Sequence, residues 1–205
     1  MAAMLDIITA IILGAILLMN IINASSIVSE ESTVLNGDVA VQQLLISNAQ
    51  LVESEFRNMG MGVPEDTATV VAANDTSIRF LSDLNRDGSA DTISYWVGAV
   101  SELAQTQNDS DRLLHRRVNS GSVQSIGAVT KFSMKYYSQS LMDTLIPPIP
   151  AIDMEMIRVV EITMEVQNPA AIYRDPRDIR AGERDALYSS SYWRQTRLAS
   201  QNLKR

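Results

Sequence analysis

The sequence predicts an α+β fold in which a long N-terminal helix packs on a mainly antiparallel β-sheet. Residues 7–22 are almost all Ile, Leu, Ala and Met, and apolar residues at helical spacing follow them. The remainder of the chain carries short β-rich segments separated by turn residues. A helical run followed by a series of strands favours the α+β class. We expect an apolar helix (1–24), its amphipathic continuation (25–60) and a β-rich head (61–205), in a lollipop shape.

The apolar segment is predicted to be a retained helix. A bilayer core requires about 20 apolar residues in a helix, and this segment reaches that length. No Lys or Arg precedes it and no small-residue cleavage motif follows it, so a removable secretory signal fits poorly. Asp6 is the only charge before Glu30. An intramembrane carboxylate costs about 2.5–3.5 kcal/mol, so we expect it to pair with an α-amine, its own or a neighbour's. The alternative places Asp6 at headgroup level.

The amphipathic continuation carries a core stripe, defined here as apolar residues at steps of three and four: Val41, Leu45, Ala49, Val52, Phe56 and Met59. Several polar residues are expected to lie mostly away from this stripe: Gln42, Gln43, Asn48, Glu53, Glu55 and Arg57. Gly costs about 1 kcal/mol in a helix interior, so we expect a kink or short break at 36–38. The Gly- and Pro-containing residues 60–64 should end the helix.

The head is predicted to consist of strands joined by turns. A hairpin is expected from the matching β-rich runs on either side of an acidic loop. In the late strand, Val160, Ile162, Met164 and Val166 should form the buried face. Residues 146–153 contain three prolines and are predicted to be a stiff loop, and 174–184 a charged loop. The predicted strands are 67–72, 77–84, 92–97, 113–119, 129–138, 157–167 and one within 191–203.

The composition argues against several classes of function. The net charge of −7 and the isoelectric point near 4.7 argue against a nucleic-acid partner. Without cysteine there are neither disulfides nor thiolate metal sites. The single histidine, His115, lies between basic neighbours and is predicted to occupy a surface strand position. No nucleophile–base motif or phosphate-binding loop is present, so we expect neither an enzyme nor a small-molecule substrate.

One loop has the pattern of a calcium site. Residues 83–91 follow D-x-N-x-D-G-x-x-D, in which alternate oxygen ligands and a glycine at the sharp turn suit Ca²⁺. The twelfth position is Ser94, not Glu, so this is not a complete EF-hand. The alternative is an acidic turn that needs these residues only for its backbone angles. The candidate ligands are Asp83, Asn85, Asp87, Asp91 and the backbone carbonyl of Ser89.

The order of these features resembles the type IV pilin and pseudopilin superfamily. The resemblance is carried by the apolar helix with a carboxylate near its start and Gly14, and by the helix-end segment 55–62 (EFRNMGMG). It continues through the strand–acidic loop–strand unit 77–97, the segments 114–118 and 126–132, and the late strands 157–166 and 192–203. Three features depart from the family pattern. The family's leader peptide, which ends in Gly, is not visible, so we expect a processed or an unusual form. The family has Glu at the fifth mature position, whereas this chain has Asp6, which is fifth only if the mature chain starts at Ala2. The helix-breaking Pro is missing, and Asn20, Asn23 and the Ser25–Ser26 pair are expected to loosen the helix instead.

The resemblance implies a structural subunit of a pilus-like or pseudopilus filament. Such a subunit sits in the inner membrane before assembly and then polymerises with itself or other pilins at the cell surface. Asp6 would neutralise the α-amine of Met1 in an adjacent subunit, and small residues would allow the helices to approach closely. These small residues are Ala10, Gly14 and Ala15. The alternative is a membrane-anchored extracytoplasmic Ca²⁺-binding domain that does not polymerise.

Overall fold

The α+β prediction is confirmed by a computed structural model, which describes residues 2–106, 108–138, 143–168, 172–173, 186–188, 190–199 and 203. One helix, α1, spans Ala2–Arg57 and is followed by antiparallel strands. The predicted charged loop 174–184 lies outside the described residues. The strands are β1 (Val70–Ala73), β2 (Ser77–Ser82), β3 (Asp91–Val97), β4 (Arg112–Val118), β5 (Gln124–Val129), β6 (Lys131–Tyr137), β7 (Thr144–Leu145), β8 (Val159–Gln167), β9 (Ile172–Tyr173), β10 (Ala186–Leu187) and β11 (Ser190–Leu198).

The strands form two main sheets, where the sequence predicted one. Strands β1 to β5 form an antiparallel sheet in chain order, and the second sheet has the order β11-β8-β6-β7. The short strands β9 and β10 pair with each other. The predicted strand 129–138 joined the last residue of β5 to β6, but Thr130 separates the two strands. The N–H of Thr130 donates to the Glu165 carbonyl at 2.9 Å. At this residue the chain passes from the first sheet to the second, because β5 pairs with β4 and β6 pairs with β8.

The loop at 146–153 is partly confirmed. Residues Ala151–Met156 form a short 3₁₀ helix, so the predicted loop is irregular only before it. The Pro147–Pro148 peptide bond is cis. The predicted buried face of β8 is confirmed, and the exposed fraction is 0–2 % at each of its four residues: Val160, Ile162, Met164 and Val166.

The core stripe lies in the interior, as predicted, although its last residue, Met59, follows the end of α1. Each residue of the stripe is at most 7 % exposed. The ring of Phe56 contacts the rings of Phe80 on β2 and Tyr95 on β3, with centroid distances of 5.1 and 5.6 Å. Strands β5, β8 and β11 also contact the helix. The second half of α1 is therefore built into the head on both sheets.

The predicted kink at 36–38 is wrong, because α1 is continuous through this segment. The expected loosening near Asn20 is also not observed; its side-chain amide donates to the Ile16 carbonyl at 2.9 Å within the helix. Gly37 serves close packing instead. A Cβ there would lie 2.6 Å from the side-chain nitrogen of Asn168, which is fully buried and donates to the Val34 carbonyl at 2.9 Å. The same nitrogen donates to the carboxylate of Asp38 at 2.8 Å.

The helix ends as predicted at a glycine-rich turn. The last helical residue is Arg57, and Gly60 and Gly62 have φ values of 80° and 71°, in the region that favours glycine. The turn is fixed to β2, since the Gly60 N–H donates to the Leu81 carbonyl at 2.8 Å. The helix end and the start of the acidic loop are thereby held together.

A buried ion pair fastens α1 to the first sheet. Glu55 is 6 % exposed, and its carboxylate accepts hydrogen bonds from the Tyr95 hydroxyl and from the guanidinium of Arg116, whose Nε lies 3.0 Å from both carboxylate oxygens. Arg116 also donates to the side chain of Gln124 at 2.8 Å. Burial, and then the negative charge of Glu55, raise the pKa of Tyr95, so its hydroxyl remains a donor.

The prediction that Glu55 and Asn48 lie away from the buried face is therefore wrong. Both residues are buried, at 6 % and 3 % exposure. Their polar side chains predicted exposure to solvent. The first sheet instead supplies the guanidinium of Arg116 and the hydroxyl of Tyr95, which satisfy the Glu55 carboxylate. A buried charge is tolerated when it is paired and hydrogen-bonded.

Replacing Glu55 by Gln should strongly destabilise the head. The substitution leaves the guanidinium of Arg116, whose side chain is only 14 % exposed, without its counter-charge, and breaking a buried ion pair costs about 3–5 kcal/mol. Urea denaturation of the full chain in uncharged detergent measures the loss. The matched control is Glu53→Gln, which removes an exposed pair with Arg57 at i,i+4 and should cost about 0.5 kcal/mol or less. Equal effects of the two substitutions would contradict the anchoring role of Glu55.

Replacing each of two helical glycines by alanine should change the stability of the protein in opposite directions. Gly37→Ala introduces a methyl group into the fully buried Asn168, so we expect a lower melting temperature despite the better helix propensity of alanine. Around Gly14 an added Cβ meets nothing within 4 Å, so Gly14→Ala should stabilise the unassembled chain by about 0.5–1 kcal/mol. Thermal unfolding followed by circular dichroism tests both; a stabilising Gly37→Ala would refute the close contact.

Candidate functional site

The first half of α1 exposes its apolar side chains. The large apolar side chains that the structure describes between Met4 and Val28 are each 53–70 % exposed. Within the described residues, α1 is the one helix long and apolar enough to cross a membrane by length and composition, and none of its most apolar segment is buried. The described side chains of this half are therefore exposed around the whole circumference of the helix.

Three of the predicted assembly residues share one face of this exposed helix. Asp6, Ala10 and Gly14 are spaced by four residues, which places them one above the other on a helix surface. Ala15 follows Gly14 and lies beside this face. Met1 is outside the described residues, so the predicted contact of Asp6 with an α-amine stays a prediction. The helix surface at Gly14 is open, with no neighbouring atoms within 4 Å of an added Cβ.

A second exposed apolar feature extends into the packed half of α1. Steps of seven, four and seven residues place four side chains on one face of the helix. They are 54–65 % exposed, and the core stripe faces a different direction, into the head. Sequence reasoning missed this feature, although the spacing was visible in the sequence. We call it the outer stripe: Val28, Leu35, Val39 and Ile46.

The candidate calcium loop connects β2 to β3 and is closed by its own hydrogen bonds. The Asp83 carboxylate accepts from the N–H groups of Asp87 and Gly88 at 3.1 and 3.0 Å. The Asp87 carboxylate accepts from the N–H of Ser89 at 2.8 Å and from the amide of Asn85 at 2.7 Å. Its pKa is lowered, mainly by the bond from Asn85 and then by the bond from Ser89.

The far side of the loop is tied to the rest of the first sheet. The Asp91 carboxylate accepts from the Leu84 N–H at 3.2 Å and from the side-chain amide of Asn119 at 2.7 Å. Asp83 is 6 % exposed and packs against Gly62, where a Cβ would lie 2.7 Å from that of Asp83. The loop therefore sits directly at the end of α1.

The acidic side chains of the loop bond to the loop itself and to its neighbours. In the part of the chain that the structure describes, no three or more His, Cys, Asp or Glu side chains are grouped as a metal would require. The carboxylates of Asp83, Asp87 and Asp91 instead accept backbone or amide N–H groups. The alternative, an acidic turn that needs these residues for its backbone, accounts for these bonds. Calcium binding stays a prediction.

His115 lies on β4, as predicted, but it is less exposed than a surface position implies. Its side chain is 12 % exposed, and its Nε2 lies 2.7 Å from the Glu102 carboxylate. Its ring also contacts the ring of Trp96, at a centroid distance of 5.3 Å. The hydrogen bond with His115 lowers the pKa of Glu102.

The architecture is pilin-like: a long N-terminal apolar helix on antiparallel sheets. Comparisons with known protein families, with curated proteins and with solved structures found no match to this chain. The functional conclusion therefore depends on the residues and their geometry.

The calcium prediction can be tested by thermal unfolding. If the loop binds Ca²⁺, millimolar Ca²⁺ should raise the melting temperature of the full chain, and Asp87→Asn should abolish the rise. Excess ligand at about 100 times its dissociation constant stabilises by about 2.7 kcal/mol, an easily measured shift. Asp66→Asn, which changes an exposed carboxylate outside the loop, is the control. An unchanged melting temperature in the wild type would leave the loop as a purely structural acidic turn.

Proposed function

We propose that this protein is a structural subunit of a pilus-like or pseudopilus filament and that it polymerises through α1. The observation that carries the proposal is the outer stripe. It continues the apolar surface of the first half of α1 along the part of the helix that is fixed to the head. Val28, Leu35, Val39 and Ile46 are all more than half exposed, and an exposed apolar surface of this extent marks an interaction site.

The length of the stripe favours a filament over a solitary anchor. From Asp6 to Ile46, α1 extends over about 60 Å at 1.5 Å per residue, whereas the hydrocarbon core of a bilayer is about 30 Å thick. An anchor surrounded only by lipid would leave the end of the stripe in water. Neighbouring helices of the same kind could cover its whole length.

Asp6 supplies a means of fixing the stagger between subunits. A carboxylate removed from water into an apolar bundle requires a counter-charge, and an unpaired buried charge is strongly unfavourable. The α-amine at the start of a neighbouring copy would provide this charge. Only a stagger that brings the two groups together would be tolerated, so the pairing would set the axial rise.

The small residues on the same face would determine how closely the helices approach. Apolar helices associate through van der Waals packing at small side chains, because lipid and side chains are equally apolar. Ala10 and Gly14, with Ala15 beside them, form such a surface. A repeated contact between two different faces of the subunit produces an open helical polymer instead of a closed ring.

Substitutions at Asp6 and Gly14 test the proposal. Filaments on the producing cells should be visible by electron microscopy with the wild type and absent with Asp6→Ala, which removes the counter-charge. Gly14→Leu should also prevent assembly, because its side chain keeps neighbouring helices apart. The protein should still reach the membrane in both cases.

Two controls make this experiment specific. Asp6→Glu keeps the charge and should assemble, and Glu30→Gln removes another exposed carboxylate of the same helix and should also assemble. Filaments of normal abundance with Asp6→Ala, or a wild type that remains monomeric in extracted membranes, would contradict the proposal. The second result would favour a membrane-anchored domain that does not polymerise.

A further inference from the structure

A cavity lies on the face of the first sheet opposite α1. The inner face of β2, β3 and β4 carries residues that contact the helix, including Phe80, Tyr95 and Arg116. Alternate residues of the same strands point the other way. There they line an open cavity of about 250 Å³, below the usual size of a site for a drug-sized ligand and suited to a small group.

Two arginines and a serine form a row across the floor of this cavity. In the sheet register Arg79 on β2 is opposite Ser94 on β3, and Ser94 is opposite Arg117 on β4. Residues directly opposite each other share a face of the sheet. The Nε of Arg79 donates to the Ser94 hydroxyl at 3.3 Å, so the terminal amino groups of this guanidinium remain available to a ligand.

The second arginine contacts an aromatic ring, and no described carboxylate pairs with it. The guanidinium of Arg117 lies over the ring of Trp96, 5.7 Å from its centroid. Its Nε is buried and has no hydrogen-bond partner within the described part of the chain. An unpaired buried donor costs about 1–3 kcal/mol or more when charged, so a ligand oxygen to which this N–H donates would offset that cost.

The cavity has a charge opposite to that of the protein. The described residues that line it include two arginines and no carboxylate, in a chain with a net charge of −7. On the same face, the carboxylate of Glu102 bonds His115. At the rim, the amide of Asn74 donates to the Ser77 hydroxyl at 2.9 Å, which adds polar groups next to the arginines.

We infer that this cavity binds a small oxyanion group, a carboxylate or a phosphate, between the guanidinium groups of Arg79 and Arg117. Guanidinium groups match the planar geometry of such anions and bind them through charge-assisted hydrogen bonds. The ring of Trp96 orients Arg117 and restricts its motion, which lowers the entropic cost of binding. The inference goes beyond the proposed function and does not depend on polymerisation.

Isothermal titration calorimetry of the full chain in uncharged detergent tests the site. The probes are sodium phosphate, sodium acetate and sodium galacturonate, with galactose as the uncharged comparison. We expect binding of phosphate or of the two carboxylates, but not of galactose. Binding of phosphate alone would assign the site to phosphate groups, and binding of acetate and galacturonate would assign it to carboxylates.

Substitutions locate the binding. Arg117→Gln should weaken the anion affinity about tenfold to a hundredfold, the loss of one charge-assisted contact, and Arg79→Gln should act in the same direction. Arg112→Gln is the matched control, because it removes the same charge from β4 at an exposed position with the opposite strand parity. If Arg117→Gln fails to fold, the exposed Arg79 still provides the test.

Two results would overturn the inference. One is the absence of heat from any of the three anions in the wild type at concentrations up to about 50 mM, well above millimolar affinity. The other is equal affinity in the wild type and in both arginine variants. The inference and the proposed function fail separately, since Arg117→Gln should still form filaments and Asp6→Ala should still bind the anion.

Discussion

The first half of α1 is not covered by any described part of the head, and this constraint governs the rest of the molecule. The large apolar side chains that the structure describes between Met4 and Val28 are each more than half exposed. Burying one such side chain is worth about 1.5–3 kcal/mol, so leaving them all in water would cost on the order of tens of kcal/mol. Lipid can cover this surface before assembly. The outer stripe continues the exposed apolar surface beyond the thickness of a bilayer. There, helices of neighbouring molecules are better suited than lipid to bury it.

The other half of α1 is fixed so firmly that the exposed half must project in a defined direction. The core stripe buries one face on the sheets, the Glu55 carboxylate is bound by Arg116 and Tyr95, and Asn168 bonds the backbone at Val34. These contacts occupy one side of the helix and leave the outer stripe free on another. The head thus acts as a rigid holder that presents a continuous apolar surface to neighbouring molecules.

The buried apolar residues could be predicted from the spacing of apolar residues in the sequence. The burial of Glu55 could not, because a charged residue is expected in solvent unless its partner is known. The core stripe and the buried face of β8 followed from helical and strand spacing. Glu55 was misplaced because its partners come from strands distant in sequence. The sequence did hold one signal for this pair. Arg116 is two residues from Leu114 on β4 and so lies on the same face of the strand, and an arginine on a buried face implies an acidic partner. A break was predicted at Gly37 from its low helix propensity. The contact with Asn168 that explains this glycine is made by a residue far along the chain and could not be seen in the sequence.

The most direct test of the central claim is the distance between α1 helices of neighbouring molecules. The chain has no cysteine, so a single nitroxide label can be attached after Leu17→Cys, at an exposed position of the apolar half. Packed helices lie about 8–10 Å apart. The account predicts an electron paramagnetic resonance spectrum broadened by neighbouring labels, which narrows when unlabelled protein is mixed in before assembly. A narrow spectrum at every mixing ratio would show solitary helices and contradict the account.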